Sequence, residues 1–119
     1  MTDNPLLLKA PNVVVAGGGA LGSAFANALA ADFPGGQVVM LAREVPRDLD
    51  PRVSVSLLDA TDGARIASVA ASVSEQLGRV HLLVNTVGFL HGKGVQPEKR
   101  LRDINPQAFH QSMTVNALF

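Results

Sequence analysis

Glycine stands at positions 17, 18, 19 and 22, so Gly17-Gly18-Gly19-Ala20-Leu21-Gly22 fits G-x-G-x-x-G at its first, third and sixth places. The chemistry open to such a turn is anion binding by the backbone. A first glycine permits a tight turn at positive φ, a second without a Cβ lets the chain approach a pyrophosphate, and a third lets the following helix pack close to its strand. Amides at the head of that helix, with their partial positive charge, then hold the anion. The apolar run before the turn and the helical pattern after it supply the setting this motif needs. Without a ligand the same residues make a plain glycine-rich connection. About twenty residues further on, a carboxylate would accept hydrogen bonds from a ribose 2′-hydroxyl and select NAD. Here Ala42 is followed by Arg43. A guanidinium there can pair with a 2′-phosphate, so the expected cofactor is NADP in preference to NAD. Arg47 can assist and Glu44 opposes; the competing reading of Arg43 is a solvated loop side chain.

Other chemistry is narrowed by what the chain lacks. With no cysteine there is no disulfide framework, no thiolate zinc site and no cysteine nucleophile. With no tyrosine, no phenol can act as acid or base. The near-neutral acids are His81, His91 and His110. His81 falls in an apolar run and is expected to be core or capped. His91 lies in a glycine-rich loop, and His110 is expected on the surface of the last helix.

The elements that must position these residues follow from hydrophobic period. Short β-branched or apolar runs at 13–16, 37–42, 53–58 and 80–85 read as buried strands. Helical spacing appears at 20–32, with Leu21, Ala24, Phe25, Ala28 and Leu29 as the apolar positions, and Phe33-Pro34-Gly35-Gly36 as its stop. A second helix, capped by Thr61 or Asp62, runs to Leu77 with Ile66, Val69, Ala70, Val73 and Leu77 on one face, and Gly78 ends it. Residues 86–103 read as a long irregular segment. Asn105-Pro106 then opens a last helix carrying Phe109, Met113, Asn116 and Ala117. The order β-α-β-(loop)-β-α-β-α implies an α/β fold, a Rossmann-like doubly wound parallel sheet of about four strands and three helices, incomplete as it stands.

Composition agrees with a single small domain at 119 residues. Hydrophobic residues make up 47% and charged residues 17%, which excludes a disordered tail. Ten basic and ten acidic residues cancel, so no electrostatic footprint for nucleic acid or an anionic membrane is present. No apolar run reaches the roughly 18 residues of a membrane span. The first residues lack the basic n-region of a signal peptide, so a cytoplasmic location is expected.

Three further segments carry a resemblance. Leu58-Asp59-Ala60-Thr61-Asp62 resembles the D-V-T segment of the short-chain dehydrogenase/reductase family, Leu82-Leu83-Val84-Asn85-Thr86-Val87-Gly88 resembles its L-V-N-N-A-G, and Phe109 with Val115-Asn116 resembles its "F…VN" helix. Gly88 to Gly92, with Gln96-Pro97-Glu98-Lys99, is similar to the C-factor branch. The resemblance implies that Asp59 and Ala60 meet the adenine, that Asn85, Thr86, Val87 and Gly88 line the cofactor, and that Asn116 is the structural asparagine of a catalytic tetrad. It also implies hydride transfer between NADP(H) and a small carbonyl or alcohol substrate, in a homo-oligomer when full-length, with neither nucleic acid nor membrane as partner. The chain departs from the pattern in several places. The family's T-G-x-x-x-G-x-G is either one residue short here or has Ala20 in place of its sixth-position glycine, and the threonine is missing under both alignments; Thr86 replaces an asparagine and Val87 an alanine. The Ser, Tyr and Lys of the tetrad are not found, so residues 1–119 correspond to the N-terminal, dinucleotide-binding half, cut within its last helix. Such a half is expected to be inactive alone, with an unpaired apolar sheet edge and an exposed Phe109/Met113 stripe that favour aggregation. The alternatives are a dinucleotide-binding module without catalysis, a fragment without function, or a Rossmann domain of another class such as a flavin or sugar-nucleotide enzyme.

Overall fold

Three consecutive valines, Val13, Val14 and Val15, are stiff at χ1 and suit a pleated surface, and they make the centre of the sheet. The computed structural model describes residues 10–88 and 105–118. Residues 89–103 of the segment expected to be irregular at 86–103, the stretches compared with the C-factor branch apart from Gly88, and His91 lie outside those residues. Within them, β1 is Asn12–Ala16, α1 is Ala20–Asp32, β2 is Gln37–Ala42, β3 is Val53–Leu57, α2 is Gly63–Leu77, β4 is Leu82–Asn85 and α3 is Pro106–Met113. Met1–Thr86 forms one compact unit and Val87–Phe119 a second.

The first unit is a four-stranded parallel sheet in the order β3-β2-β1-β4. Val13 pairs with Val38 on one side and Leu82 on the other, and Val38 pairs with Val53. Successive side chains point to opposite faces. One row, Val13, Val15, Val38, Met40 and Ala42, packs with Ala26 and Ala30 of α1. The other row, Val14, Ala16 and Val39, is also buried, as are Val69, Val73 and Leu77 of α2. Burial of both rows is the mark of a parallel sheet covered on both faces, and the α/β Rossmann-like class holds.

The face α1 presents differs from the expected one. Gly22, Ala26 and Ala30 are buried, whereas Leu21 is 62% and Phe25 41% exposed. The reason is distance. A Cβ on Gly22 would collide with the Gly17 carbonyl oxygen, so the helix lies too close to the turn for a large side chain on its inner face. Of the expected apolar set, Leu29 still packs against the core.

α2 matches its expected face at Val69, Val73 and Leu77. Asp62 caps it by accepting from the Arg65 N–H at 3.0 Å, and Gly78 ends it at φ 73°. Asn12 then closes this end of the sheet. Its Nδ2 donates to the carbonyls of Leu77 at 3.0 Å and Arg79 at 2.9 Å. Its N–H donates to Nδ1 of His81 at 2.9 Å, and its carbonyl accepts from the His81 N–H. His81 is thus capped, and β4 starts at Leu82, two residues later than its apolar run suggested. Among the described residues β4 is an edge strand, with Leu83 exposed.

In the second unit Asn105 caps α3, accepting from the N–H groups of Gln107 at 2.9 Å and Ala108 at 3.3 Å. Phe109 and Met113 are exposed there, and so is His110. The α-helix expected to continue through Asn116 instead widens to a π turn over Thr114–Leu118. The Thr114 hydroxyl donates to the His110 carbonyl at 2.8 Å. A hydroxyl that shares the carbonyl four residues back loosens the α ladder at that point.

Candidate dinucleotide-binding site

Three backbone hydrogen bonds carry the sheet ladder past its carboxyl edge. The N–H of Gly17 donates to Leu41 O, that of Leu58 to Ala42 O, and that of Thr86 to Ala16 O, each at 2.8 Å. They bring the glycine turn, Arg43, Asp59, and Asn85 with Thr86 to one edge. The strand order reverses across β1 and β4 at this edge, which is where ligands enter open α/β sheets.

Each glycine of the turn has its own surroundings. Gly17 adopts φ 113°, and a Cβ on it would meet the Thr86 hydroxyl oxygen. A Cβ on Gly18 would lie 2.7 Å from the Ala42 Cβ and 3.6 Å from both Glu44 O and Pro46 Cγ. A Cβ on Gly22 would strike the Gly17 carbonyl and stand 2.9 Å from the Thr86 Oγ1. At Gly19 a Cβ meets nothing within 4 Å. Gly19 is also the N-cap of α1 and provides no side-chain acceptor, and Ala20 and Leu21 behind it are exposed. No side chain caps the first-turn amides of α1, and the space beside Gly19 is open. Space and donors together fit a diphosphate.

The remaining edge residues are held as follows. Asp59 Oδ1 accepts from the Thr61 N–H at 2.9 Å and the Thr61 hydroxyl at 2.7 Å. These bonds hold its carboxyl below the usual range, the side-chain bond contributing most and the charge of Arg43 least. Ala60 is half-buried beside it; Arg43 and Arg47 are exposed. Asn85 is exposed at the last pairing of β4, opposite Ala16. Thr86 gives both its N–H and its hydroxyl, the latter at 2.9 Å, to the Ala16 carbonyl. Its oxygen thus occupies space that Cβ atoms on Gly17 and Gly22 would need. In the second unit, Val87 is half-buried, and a Cβ on Gly88 would lie 3.5 Å from Asn116 Oδ1. Asn116 Nδ2 donates to the Ser112 hydroxyl at 3.1 Å.

Sequence reasoning missed Asn27. Its side chain ties α1 to the backbone of Asp48 and Asp50. An asparagine in mid-helix, where its side chain competes with the backbone, was the available signal.

A parallel sheet with a glycine turn at its carboxyl edge defines a Rossmann-type nucleotide-binding fold. The chain matches the family model of short chain dehydrogenases over residues 11–118, and it belongs to that family. Flavin and sugar-nucleotide Rossmann classes are thereby set aside. A comparison with curated proteins gave no match. Among solved structures, a short-chain dehydrogenase from Streptomyces avermitilis is similar at TM-score 0.73 and 27% identity, over 92% of this chain and 40% of that one. A 3-ketoacyl-(acyl-carrier-protein) reductase from Brucella melitensis, complexed with NADH, is similar at TM-score 0.72 and 19% identity, over 92% and 46%. A variant actinorhodin polyketide ketoreductase with NADPH is similar at TM-score 0.70 and 19% identity, over 90% and 42%. The chain therefore spans less than half the length of these structures.

Proposed function

We propose that residues 1–119 form the N-terminal, dinucleotide-binding part of an NAD(P)-dependent oxidoreductase that moves hydride between NADP(H) and a small carbonyl or alcohol substrate. The observation that carries this reading is the uncapped, open first turn of α1 at Gly19, set beside Arg43 on the carboxyl edge. Amides from Gly18 to Gly22 would hold the diphosphate, with Gly17 setting the turn. Asp59 and Ala60 would meet the adenine, and Arg43 would meet a 2′-phosphate. Asn85, Thr86, Val87 and Gly88 would line the path beyond, with the Thr86 hydroxyl bracing the turn rather than the ligand. Hydride chemistry comes from the nicotinamide ring when a dinucleotide is bound; these residues bind and orient. NADH and NADPH in the Brucella and actinorhodin enzymes support a nicotinamide dinucleotide as ligand. The choice of NADP rests on Arg43 alone.

Reduction of a carbonyl builds negative charge on oxygen, and a positioned acid must supply a proton. This sequence has no tyrosine to do so. Asn116 is assigned a structural part in the tetrad, and the tetrad's tyrosine is not among these 119 residues. A cytoplasmic location and self-association of the complete enzyme belong to the same proposal. Among the described residues no helix is long and apolar enough to cross a membrane.

Thermal melting with cofactor tests the reading. NADPH at about 100 times its Kd is expected to stabilise the chain by about 2.7 kcal/mol. Gly19→Asp, which adds its side chain in open space, is expected to keep the melt and lose that shift. Retention of the shift in Gly19→Asp would overturn the assignment. A second reading, a binding module without catalysis, is favoured by the missing tyrosine. It predicts no Ser and no Tyr-x-x-x-Lys in the coding sequence after codon 119.

A further inference from the structure

Asn27 occupies the middle of α1, where asparagine is a poor helix former. Its side chain is satisfied outside the helix. Nδ2 donates to the Asp48 carbonyl at 2.9 Å, and Oδ1 accepts from the Asp50 N–H at 2.8 Å. Both partners lie in the segment joining β2 to β3. Asp50 is in turn tied to the start of β3: its carboxylate accepts from the Arg52 N–H, Nε and Nη2 at 2.9, 3.0 and 2.8 Å, and its carbonyl accepts from the Val53 N–H. The opposite end of the segment is held by Ala42, which bonds to Leu58 and packs under Gly18. Between these anchors run Arg43, Glu44, Val45, Pro46 and Arg47, with Glu44 O and Pro46 Cγ against the Gly18 turn.

We propose that Asn27 is a positioning residue for cofactor choice: by clamping Asp48 and Asp50 to α1 it fixes the β2–β3 segment so that Arg43 stands at the edge where a 2′-phosphate would sit. This inference rests on the dinucleotide reading of Gly17–Gly22. Among the described residues Asn27 makes no hydrogen bond to Arg43 or to the glycine turn, so its effect travels through the backbone of the segment. A residue that only stabilised the fold would weaken NADPH and NADH alike. One that places a guanidinium for the 2′-phosphate weakens NADPH selectively, since that phosphate is all that distinguishes the two.

The test titrates NADPH and NADH into the 119-residue chain as the parent, Asn27→Ala, Arg43→Ala and the double variant. Asn27→Ala is expected to weaken NADPH by about fivefold, with NADH changed by less than about twofold. In the Arg43→Ala background it should change the NADPH/NADH ratio no further, because residues acting as one unit are not additive. Equal losses for both cofactors, or a full effect of Asn27→Ala without Arg43, would overturn the proposal. Asn27→Asp keeps an oxygen to accept from the Asp50 N–H but sets an acceptor against the Asp48 carbonyl, so it provides a second variant that breaks the Asp48 tie alone and is likewise expected to weaken NADPH selectively. If neither variant melts cooperatively, Asn27 is a fold residue and the proposal fails. If the parent chain binds neither dinucleotide, the reading of the glycine turn falls first, and this one with it.

Discussion

A methyl group has opposite consequences at two glycines of one turn. At Gly22 it would run into the Gly17 carbonyl and crowd the Thr86 hydroxyl, and backbone does not yield cheaply. Gly22→Ala is expected to lower stability by about 1–3 kcal/mol through overpacking, read as an earlier urea midpoint. At Gly19 the space is open, and Gly19→Ala should stay within about 0.5 kcal/mol of the parent. An unchanged midpoint in Gly22→Ala would show that α1 does not approach the turn so closely. A second prediction concerns acid. Arg52 holds the Asp50 carboxyl at about 2, below its ordinary 3.8, by side-chain hydrogen bonds first and its backbone N–H second. Thr61 lowers Asp59 in the same direction. Because these folded-state values are depressed, their stabilisation is present above the ordinary carboxylate pKa and is lost as pH falls through the folded value. Melting temperature should therefore drop between about pH 4 and pH 2. In Arg52→Ala the NMR titration of Asp50 should return toward 3.8, and an unmoved titration would refute the cause given. The glycine spacing was legible because the missing Cβ is written in the residue type. Asn27 showed only as a polar residue out of place in a helix; its partners are backbone atoms 21 and 23 residues away, which no side-chain pattern identifies.

Elements were legible where period and punctuation agreed. The bounds of α1 and β2, and the Asn105 cap, follow from residue types that have one good local solution, whereas of the two caps open to α2 the structure uses Asp62. The inner face of α1 was not, since hydrophobicity favours Leu21 and Phe25 while clearance favours Gly22, Ala26 and Ala30. Close packing outranks transfer free energy when backbones must touch, and only the fold tells how near they come. The start of β4 was hidden for a related reason. Val80 and His81 look like strand, but the Asn12 side chain takes the carbonyls of Leu77 and Arg79 while its backbone N–H and carbonyl hold His81. Asn12→Ala leaves those two carbonyls without this donor while the backbone bonds to His81 persist. It is expected to cost about 1–3 kcal/mol in chemical denaturation. Asn12→Asp should be no better, since a carboxylate can only accept. Full stability in either variant would show that the α2 end is held by other contacts.

At the scale of the whole chain, binding and turnover separate. All residues assigned to the cofactor lie within the described residues, and those of the first unit share one carboxyl edge. On the proposed reading a tyrosine protonates the product oxygen, and these 119 residues contain none. A positioned acid contributes typically 10²–10⁴-fold, and hydride transfer without one leaves an unprotonated alkoxide. The 119-residue chain saturated with NADPH and given a simple activated aldehyde is therefore expected to consume cofactor no faster than the uncatalysed mixture, followed by loss of nicotinamide absorbance. The same sample should still show the cofactor-dependent rise in melting temperature, so silence in the assay cannot be mistaken for an empty site. Histidine is the side chain that could overturn this. A measurable rate that disappeared in His91→Gln or His110→Gln would place an acid within these residues and make the chain a catalyst in its own right. A rate that survived both, and Gly19→Asp as well, would point to contaminating enzyme, since it would not depend on the turn that must hold the coenzyme.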